Sequence, residues 1–456
     1  MLKKLLSLLL VCTFLLSGCQ KEAENHYLGN LHLSYQLKGE NNQKEYEFFY
    51  GYAFRKYLAQ VQNALGDDNA NVLPFQLNDN INSLKDQKCT IEGYQEQSWE
   101  GYFAKQALEY YKEINALYNA AKSAQMTVTT DIEKEADAYF ASIEKYCQQN
   151  NIKLDDYLHS IYGIEANKEL IINQYQKITL ASQYSKKLFV NPTQTEVENY
   201  YSKHQDMFDT VTIRYIAFEK NDENKKIIDA FVNQKHTENE FKAFVLKHID
   251  ESLKTYYQQT DLSLRDNLRK EDLPNYLQIP LFNNSMQKNE VKMYEGDNSY
   301  DVVMFLKREK PIYHQVNIST IYLDARETDT SSITDKQWTA CQEFANELYK
   351  KLKAEDHLTL DIFHQYNQKY SDYKENNGDY EGVSKRDSNA EIEKWIYDSS
   401  RQKGDMAVLK STHGYSIVYF IGRGEKEYYA NALKAYQNEQ YELQIKKLKD
   451  TIDVSI

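Results

Sequence analysis

A serine interrupts one of the most apolar segments of the chain, close to its C-terminal end. In KSTHGYSIVYFIGR (410–423) the run Ile417–Ile421 is typical of a strand, and Ser416 lies just inside it. A Gly-Tyr pair precedes the serine and lets the backbone turn into the strand. The chemistry available here is hydrogen bonding by a hydroxyl, because we interpret the nearby His413 as a surface residue of the turn. The cysteines show no metal-like spacing, so we predict neither a metal site nor a cofactor.

The N-terminus predicts export and a lipid anchor. Lys3 and Lys4 precede an apolar run over 5–16, which is too short to span roughly 30 Å of hydrocarbon as a helix. The segment Leu16-Ser17-Gly18-Cys19 resembles the bacterial lipoprotein signal, in which the cysteine is acylated and becomes the mature N-terminus. We therefore expect lipidation of Cys19 and an extracytoplasmic, membrane-tethered protein. The alternative is an ordinary cleaved signal with a chance cysteine.

Composition excludes some partners. The formal net charge of −13 argues against nucleic acid and against direct adsorption to anionic lipid. Besides Cys12 and Cys19, the chain has Cys89, Cys147 and Cys341. Three thiols are the favoured interpretation, and a Cys89–Cys147 disulfide is the alternative in an oxidising compartment.

The first half of the mature chain has helical periodicity. After a polar tether (19–42), apolar residues recur at spacings of three and four, most clearly behind Ser98. This stripe consists of Trp99, Phe103, Ala107, Tyr110, Ile114, Leu117 and Ala121. Thr130 with Glu133, and Thr193 with Glu196, predict capping boxes at helix starts. Residues 43–205 are therefore predicted to be helical, apart from a loop around 69–88.

From residue 211 the period becomes strand-like and a repeat appears. VTIRYIAF (211–218) and VNISTIYL (316–323) open two similar stretches, which close with SYDVVMFLKRE (299–309) and GYSIVYFIGRG (414–424). A helical pattern follows each opening strand. A last helical stretch, 425–450, carries an apolar stripe that needs a partner, and the N-terminal helical region is the obvious candidate.

Three motifs carry a resemblance to the PrsA/SurA group of extracytoplasmic folding factors. They are IFHQYNQKYSD (362–372), NNGDYEG (376–382) and HGYSIVYF (413–420). Weaker echoes lie at 239–245 and 281–291, and 191–208 resembles the family's connector. The resemblance implies an α+β fold in which a helical SurA-N-like chaperone domain is completed by a C-terminal helix and two parvulin-like α+β units are inserted. The expected domains are a signal peptide (1–18), a tether (19–42), the helical chaperone domain (43–205), the degenerate first repeat (206–311), the second repeat (312–424) and the C-terminal helix (425–456).

The resemblance also implies where a prolyl isomerase site would lie. In the active family one histidine stands on the first strand and one on the last. These places are taken by Thr320 and Ser416 in the second repeat, and by Tyr215 and Asp301 in the first.

Other positions of the implied site are partly retained. Tyr373 falls where a Cys or Asp is expected. Asp372 and Ser411 are possible substitutes for the lost groups, together with Tyr322. Tyr380 and Ile392 fit the wall that binds the proline ring, and Tyr322 is expected to contact substrate with them, while Ser388 replaces a bulky apolar residue.

The resemblance implies a membrane-anchored foldase of the peptidyl-prolyl isomerase family that binds unfolded or nascent secreted polypeptides. The loss of all four histidines predicts weak or absent catalysis. The first alternative is an active isomerase with a rearranged site. The second is a solute-binding lipoprotein, which would need two α/β lobes with buried parallel strands.

Overall fold

A computed structural model describes residues 31–39, 42–65, 73–77, 81–232, 234–283, 285–328 and 332–456. The predicted signal with Cys19 lies outside these residues. The chain forms two compact bodies, which we call the helical body (up to residue 191, together with 437–456) and the sheet body (192–436). The α+β prediction is confirmed, since one body is helical and the other combines helices with two antiparallel sheets.

The helices, numbered in chain order, are α1 (Gln43–Leu65), α2 (Trp99–Ser123), α3 (Thr130–Gln149), α4 (Leu154–Tyr162), α5 (Lys168–Ser185), α6 (Gln194–Lys203), α7 (Gln205–Phe208), α8 (Asp222–Asp229), α9 (Glu238–His248), α10 (Glu251–Thr260), α11 (Asn275–Phe282), α12 (Asp335–Lys353), α13 (Leu360–Tyr370), α14 (Ala390–Ile396) and α15 (Glu427–Lys449). Short 3-10 turns lie at Ile81–Asp86, Lys186–Leu188, Lys270–Asp272 and Glu375–Gly378. Within the described part of the chain, no helix has the length and apolar character needed to cross a membrane.

The strands are β1 (Thr210–Glu219), β2 (Leu264–Leu268), β3 (Val291–Glu295), β4 (Ser299–Glu309), β5 (His314–Asp324), β6 (Asp379–Val383), β7 (Met406–Lys410) and β8 (Gly414–Lys426). The four strands predicted from the repeat are β1, β4, β5 and β8, and each covers its predicted segment.

The helical body is built around α1. Its residues from Glu45 to Phe54 are almost all buried, because α2, α4 and other helices cover it. The buried Glu45 carboxylate is paired with Lys177, whose Nζ lies 2.7 Å from Oε1. Asn115 Nδ2 donates a hydrogen bond to the same oxygen at 3.0 Å. The charge is thus compensated inside the core, as a buried carboxylate requires.

Helix starts follow side-chain caps, with one correction to the sequence analysis. Helix α3 is capped by Thr129, whose Oγ1 accepts the Ile132 N–H, so the cap lies one residue before the predicted Thr130. The predicted box of Thr193 and Glu196 is present at α6. The box pattern favours Thr130, because Glu133 follows it by three residues, but either threonine can serve as a simple cap and the structure uses Thr129.

The end of the chain belongs to the helical body. The side chains of Tyr441, Ile445, Ile452 and Val454 are buried in its core. The Tyr441 ring stacks on Phe189 with ring centroids 4.8 Å apart. Cys89 and Cys147 are both buried in this body and are not joined by a disulfide.

The sheet body contains two sheets of the same topology, in the orders β2-β1-β4-β3 and β6-β5-β8-β7. The registers also correspond: Tyr215 is opposite Val303 in the first sheet, and Thr320 is opposite Val418 in the second. The repeat seen in the sequence is therefore a repeat of strand order and register.

The second sheet has two different faces. On one face Ile321, Leu323 and Ile417 pack with side chains of α12 and α13. On the other face Ile318, Val418 and Phe420 pack with Ile392 and Ile396 of α14. Because side chains alternate along a strand, Thr320, Tyr322 and Ser416 belong to this second face.

Candidate functional site

A groove of ≈ 740 Å³ lies on the α14 face of the second sheet. It is formed by the central strands β5 and β8, the edge strand β6, the loop that follows β6, and α14. The residues that line it are Ile318, Thr320, Tyr322, Tyr373, Asp379, Tyr380, Glu381, Gly382, Val383, Asp387, Ser388, Asn389, Ile392, Ser411, Thr412 and Ser416. The groove therefore brings together most of the residues that the sequence analysis singled out.

Thr320 and Ser416, the predicted histidine places of the second repeat, both line this groove. Tyr322 on β5 is the cross-strand partner of Ser416 on β8, and Thr320 lies two residues before Tyr322. Ser416 is buried, while Thr320 and Tyr322 are half-buried. Burial and the nearby Asp324 carboxylate raise the pKa of Tyr322 to about 12, so this phenol stays protonated as a hydrogen-bond donor at neutral pH.

The wall of the groove is apolar and aromatic. Ile318 and Ile392 belong to the core cluster beneath it, and Val383 packs against that cluster. Tyr380 stands on the edge strand opposite Ile318 and is 43 % exposed. The predicted wall residues Tyr380 and Ile392 thus lie on two sides of one cavity of a size that suits a small apolar ring and its neighbours.

Two glycines permit the close backbone packing that shapes the groove. A Cβ at Gly414 would lie 1.9 Å from Leu323 O, and one at Gly378 would lie 2.1 Å from Thr320 O. Gly378 also has a φ of +79°, which side chains disfavour. These glycines lie in the Gly-Asp and Gly-Tyr motifs, so both motifs hold the strand ends in place.

Two buried polar side chains hold the backbone of β5 in place by hydrogen bonds. Asn367 Nδ2 donates to Thr320 O at 2.7 Å, and Ser371 Oγ accepts the Tyr322 N–H at 3.1 Å. Both side chains are almost completely buried. Their role was not predicted from the sequence, and the signal that could have indicated it is the Tyr-Ser-Asp motif at 370–372.

The structure separates the two possible substitutes. Ser411 lines the groove, at the turn in which its N–H donates to Gly414 O. Asp372 does not line it. Its Oδ2 accepts the Asp324 N–H at 2.8 Å, and the residue lines a second cavity of ≈ 280 Å³ with Cys341 and Phe344. Asp372 therefore ties down the end of β5, and His413 is exposed in the turn.

The equivalent place in the first repeat is filled by a hydrogen-bonded cluster. Asp301 is 1 % exposed, and its carboxylate accepts hydrogen bonds from Tyr276 at 2.5 Å and from Ser299 at 2.9 Å. Burial and the neighbouring Asp301 carboxylate raise the pKa of Tyr215. Tyr215 and Asp301, predicted to occupy corresponding histidine places, are thus in contact, and α11 supplies Tyr276 to the same cluster.

The groove can bind by apolar contact and hydrogen bonding. No histidine is among the residues that line it. In the described ranges there is no group of three or more His, Cys, Asp or Glu side chains placed to hold a metal ion. Its chemistry rests on hydroxyls from both central strands beside an apolar wall.

Residues 326–422 match the family model described as the PPIC-type PPIASE domain, or rotamase. The resemblance stated from sequence motifs is confirmed for this stretch, which carries most of the groove; the lining residues of β5 precede it. No curated protein matches the chain.

Solved structures show a remote likeness. PrsA from Bacillus subtilis is 13 % identical with a TM-score of 0.30, over 82 % of this chain and 95 % of that one. The foldase protein PrsA from Streptococcus pneumoniae is 16 % identical with a TM-score of 0.19, over 49 % and 79 %. Because the identities and TM-scores are this low, the assignment of the family rests on the match of residues 326–422.

Proposed function

We propose that this chain, which contains a rotamase-type domain, is an extracytoplasmic folding factor that binds unfolded or nascent secreted polypeptides. The observation that carries the proposal is the groove of the second repeat. An apolar wall of Ile392 and Tyr380, within the matched residues 326–422, faces hydroxyl groups from both central strands, of which β5 lies just before the matched stretch. Such a site suits an extended peptide, for which apolar pockets and a few polar groups suffice.

Isomerase activity in this groove should be weak or absent. Rotation about an X–Pro bond has a barrier of roughly 18–20 kcal/mol, because amide resonance must be broken. Lowering it requires hydrogen-bond donors held against the strained amide in a desolvated pocket. Thr320 and Ser416 stand in the histidine places of the second repeat, and Tyr215 and Asp301 in those of the first. The substitutions leave binding surface in place and remove the imidazole groups.

A rearranged, active isomerase site is the alternative. Ser411 and Tyr322 line the groove and could supply hydrogen bonds, whereas the carboxylate of Asp372 is engaged with backbone outside it. Strong isomerisation that is lost in Ser411→Ala would support this alternative. A solute-binding lipoprotein is disfavoured, because every strand pair in the described part of the sheet body is antiparallel.

The domain organisation that we propose follows the sequence. Residues 43–205 would form the helical chaperone domain, completed by 425–456, with the repeats 206–311 and 312–424 inserted. The burial of Tyr441 and Ile445 in the core that contains α1 and α2 supports this arrangement. The helical domain, rather than a catalytic residue, would then provide the larger surface for client chains.

We also propose that the protein is anchored to the membrane by lipid at Cys19, on the basis of the Leu-Ser-Gly-Cys signal. Two or more acyl chains give stable anchoring, since each buried CH2 contributes about 0.8 kcal/mol. Metabolic labelling with a fatty-acid analogue should mark the wild-type protein and not Cys19→Ala. Equal labelling of both would refute the anchor.

Binding to the groove is tested with the chain from Gln20 onward and a fluorescein-labelled peptide that contains a Phe-Pro pair. Tyr380→Ala should weaken peptide binding about five- to twentyfold, since an aromatic contact residue contributes roughly 1–2 kcal/mol. Phe344→Ala is the matched control, because Phe344 is similarly exposed but lies on α12. Equal affinities of both variants and the wild type would place peptide binding elsewhere. Prolyl isomerisation by the same protein is measured in parallel.

A further inference from the structure

The loop between β6 and α14, residues 384–389, forms the rim of the groove. Asp387, Ser388 and Asn389 line the cavity. Asn389 Oδ1 accepts the N–H groups of Glu391 at 3.1 Å and Ile392 at 3.0 Å, so the loop also sets where α14 begins. The position of this rim therefore determines the position of the Ile392 wall.

The rim loop is tied to the first repeat by two arginines, one from each side. Arg269, which follows β2, places Nη1 3.0 Å from Oδ1 of Asp387. In the other direction, Arg386 donates from Nη1 to Asp266 O at 3.3 Å, and its Nε lies 3.8 Å from Oδ2 of Asp272. Each repeat thus contributes an arginine to the other.

Both ends of this contact are held within their own repeats. The Arg269 N–H donates to Asp272 Oδ2 at 2.8 Å. The Ser384 N–H donates to Asp387 Oδ2 at 2.9 Å, while Asp387 Oδ1 faces Arg269. The two carboxylate oxygens of Asp387 therefore connect the rim loop to itself and to the first repeat.

We propose that the first repeat acts as a support that holds the groove of the second repeat in its binding shape, with Arg269 as the positioning residue. The inference rests on the proposed function of the groove as a peptide site. The first repeat would then have a structural role, although its own place equivalent to the groove is filled by the hydrogen-bonded cluster around Asp301. Arg269 does not line the groove, so it acts on bound peptide through Asp387.

Hydrogen exchange on the full mature chain tests the support directly. In Arg269→Gln, amides of residues 384–389 should exchange about two- to fivefold faster, because a partly exposed ion pair contributes only modestly. Amides of β8 should be unchanged. Arg265→Gln is the control, since Arg265 is an exposed residue of β2 in the same repeat. Unchanged exchange of 384–389 would overturn the proposal, whatever the peptide result.

A double-mutant cycle tests the consequence for binding. The affinity for the Phe-Pro peptide should fall about two- to fivefold in Arg269→Gln. Adding Asp387→Asn to Arg269→Gln should cost less than Asp387→Asn alone, because the two residues act as one unit. Additive losses would overturn the proposal, since Arg269 would then act independently of Asp387. If the wild type binds no Phe-Pro peptide, the proposed function fails, while the exchange experiment still decides whether the first repeat supports the rim loop.

Discussion

Tyr322 and Ser416 are cross-strand partners, and in the first repeat the same register places Ala217 opposite Asp301. Side chains of directly opposed residues lie on the same face of the sheet, within reach of one another. The serine of the second repeat is therefore accompanied by a tyrosine, whereas the aspartate of the first repeat has only a methyl group directly across from it and takes its partners from Tyr215, Tyr276 and Ser299.

Restoring the two histidines tests why catalysis would be weak. We expect Thr320→His with Ser416→His to fold, because both positions open onto the groove. Isomerisation of a Phe-Pro peptide should rise from background by on the order of tenfold or more, because the imidazoles would add positioned hydrogen-bonding groups to a desolvated pocket. An NMR exchange measurement gives the rate, and Thr320→His alone serves as the control. Suppression of client aggregation should not change. A folded double variant that remains at background would show that the loss of histidine is not the cause.

Replacing Gly414 should destabilise the second repeat. The Cβ of Gly414→Ala would lie 1.9 Å from a backbone oxygen, so a strand must move, and we expect a loss of about 2–4 kcal/mol in the free energy of unfolding. Gly424→Ala on the same strand is the matched control, since its nearest contact would be an ordinary 3.7 Å. Urea unfolding followed by circular dichroism measures both. Equal stabilities would contradict the close approach of β5 and β8.

Truncating Tyr441 should destabilise the helical body. Tyr441→Ala removes a buried ring that stacks on Phe189, which should cost about 3 kcal/mol. Leu443→Ala, on the same helix, should change stability by less than about 0.5 kcal/mol because Leu443 is 44 % exposed. Thermal unfolding compares the two variants. A larger loss of stability in Leu443→Ala than in Tyr441→Ala would contradict the packing of α15 through the side that carries Tyr441.

Stability should fall steeply in alkaline solution. Burial raises the pKa of Tyr110, Tyr294 and Tyr441 to about 12, above the ordinary value of 10.0. The folded state therefore favours the protonated phenol. The resulting stability is fully present below pH 10 and is lost as pH rises towards 12, because the unfolded chain ionises first. Absorbance at 295 nm should rise together with the loss of helical circular dichroism. Tyrosine ionisation that is complete before unfolding would contradict this.

The sequence predicted the strands of the two repeats well, and the physical reason is clear. Segments 299–309 and 414–424 are long β-rich runs between turns, and β4 and β8 begin at the predicted residues. Thr320 and Ser416, the predicted histidine places of the second repeat, lie on one face of the sheet, because strand register fixes which residues share a face. Local pattern chose the wrong threonine at α3, where Thr129 is the cap.

Hydrogen bonds between segments that are distant in the chain could not be predicted from the sequence. Asn367 is an ordinary polar residue in a helical pattern, and only the folded chain brings its amide to Thr320 O. Asp372 was predicted only as a possible substitute for a family catalytic group, and the sequence did not indicate that its Oδ2 accepts the Asp324 N–H. Hydrogen bonds of this kind depend on tertiary structure, and the spacing of apolar residues along the sequence does not indicate them.

The two ends of the described chain meet in one place. Lys38 and Ser455 exchange backbone hydrogen bonds, with the Lys38 N–H 2.8 Å from Ser455 O and the Ser455 N–H 3.1 Å from Lys38 O. Both residues belong to the helical body, which the sheet body interrupts as an insertion between 191 and 437. A force applied between these two ends would therefore load the Lys38–Ser455 pair and the helical body, and it would bypass residues 192–436, which include the groove.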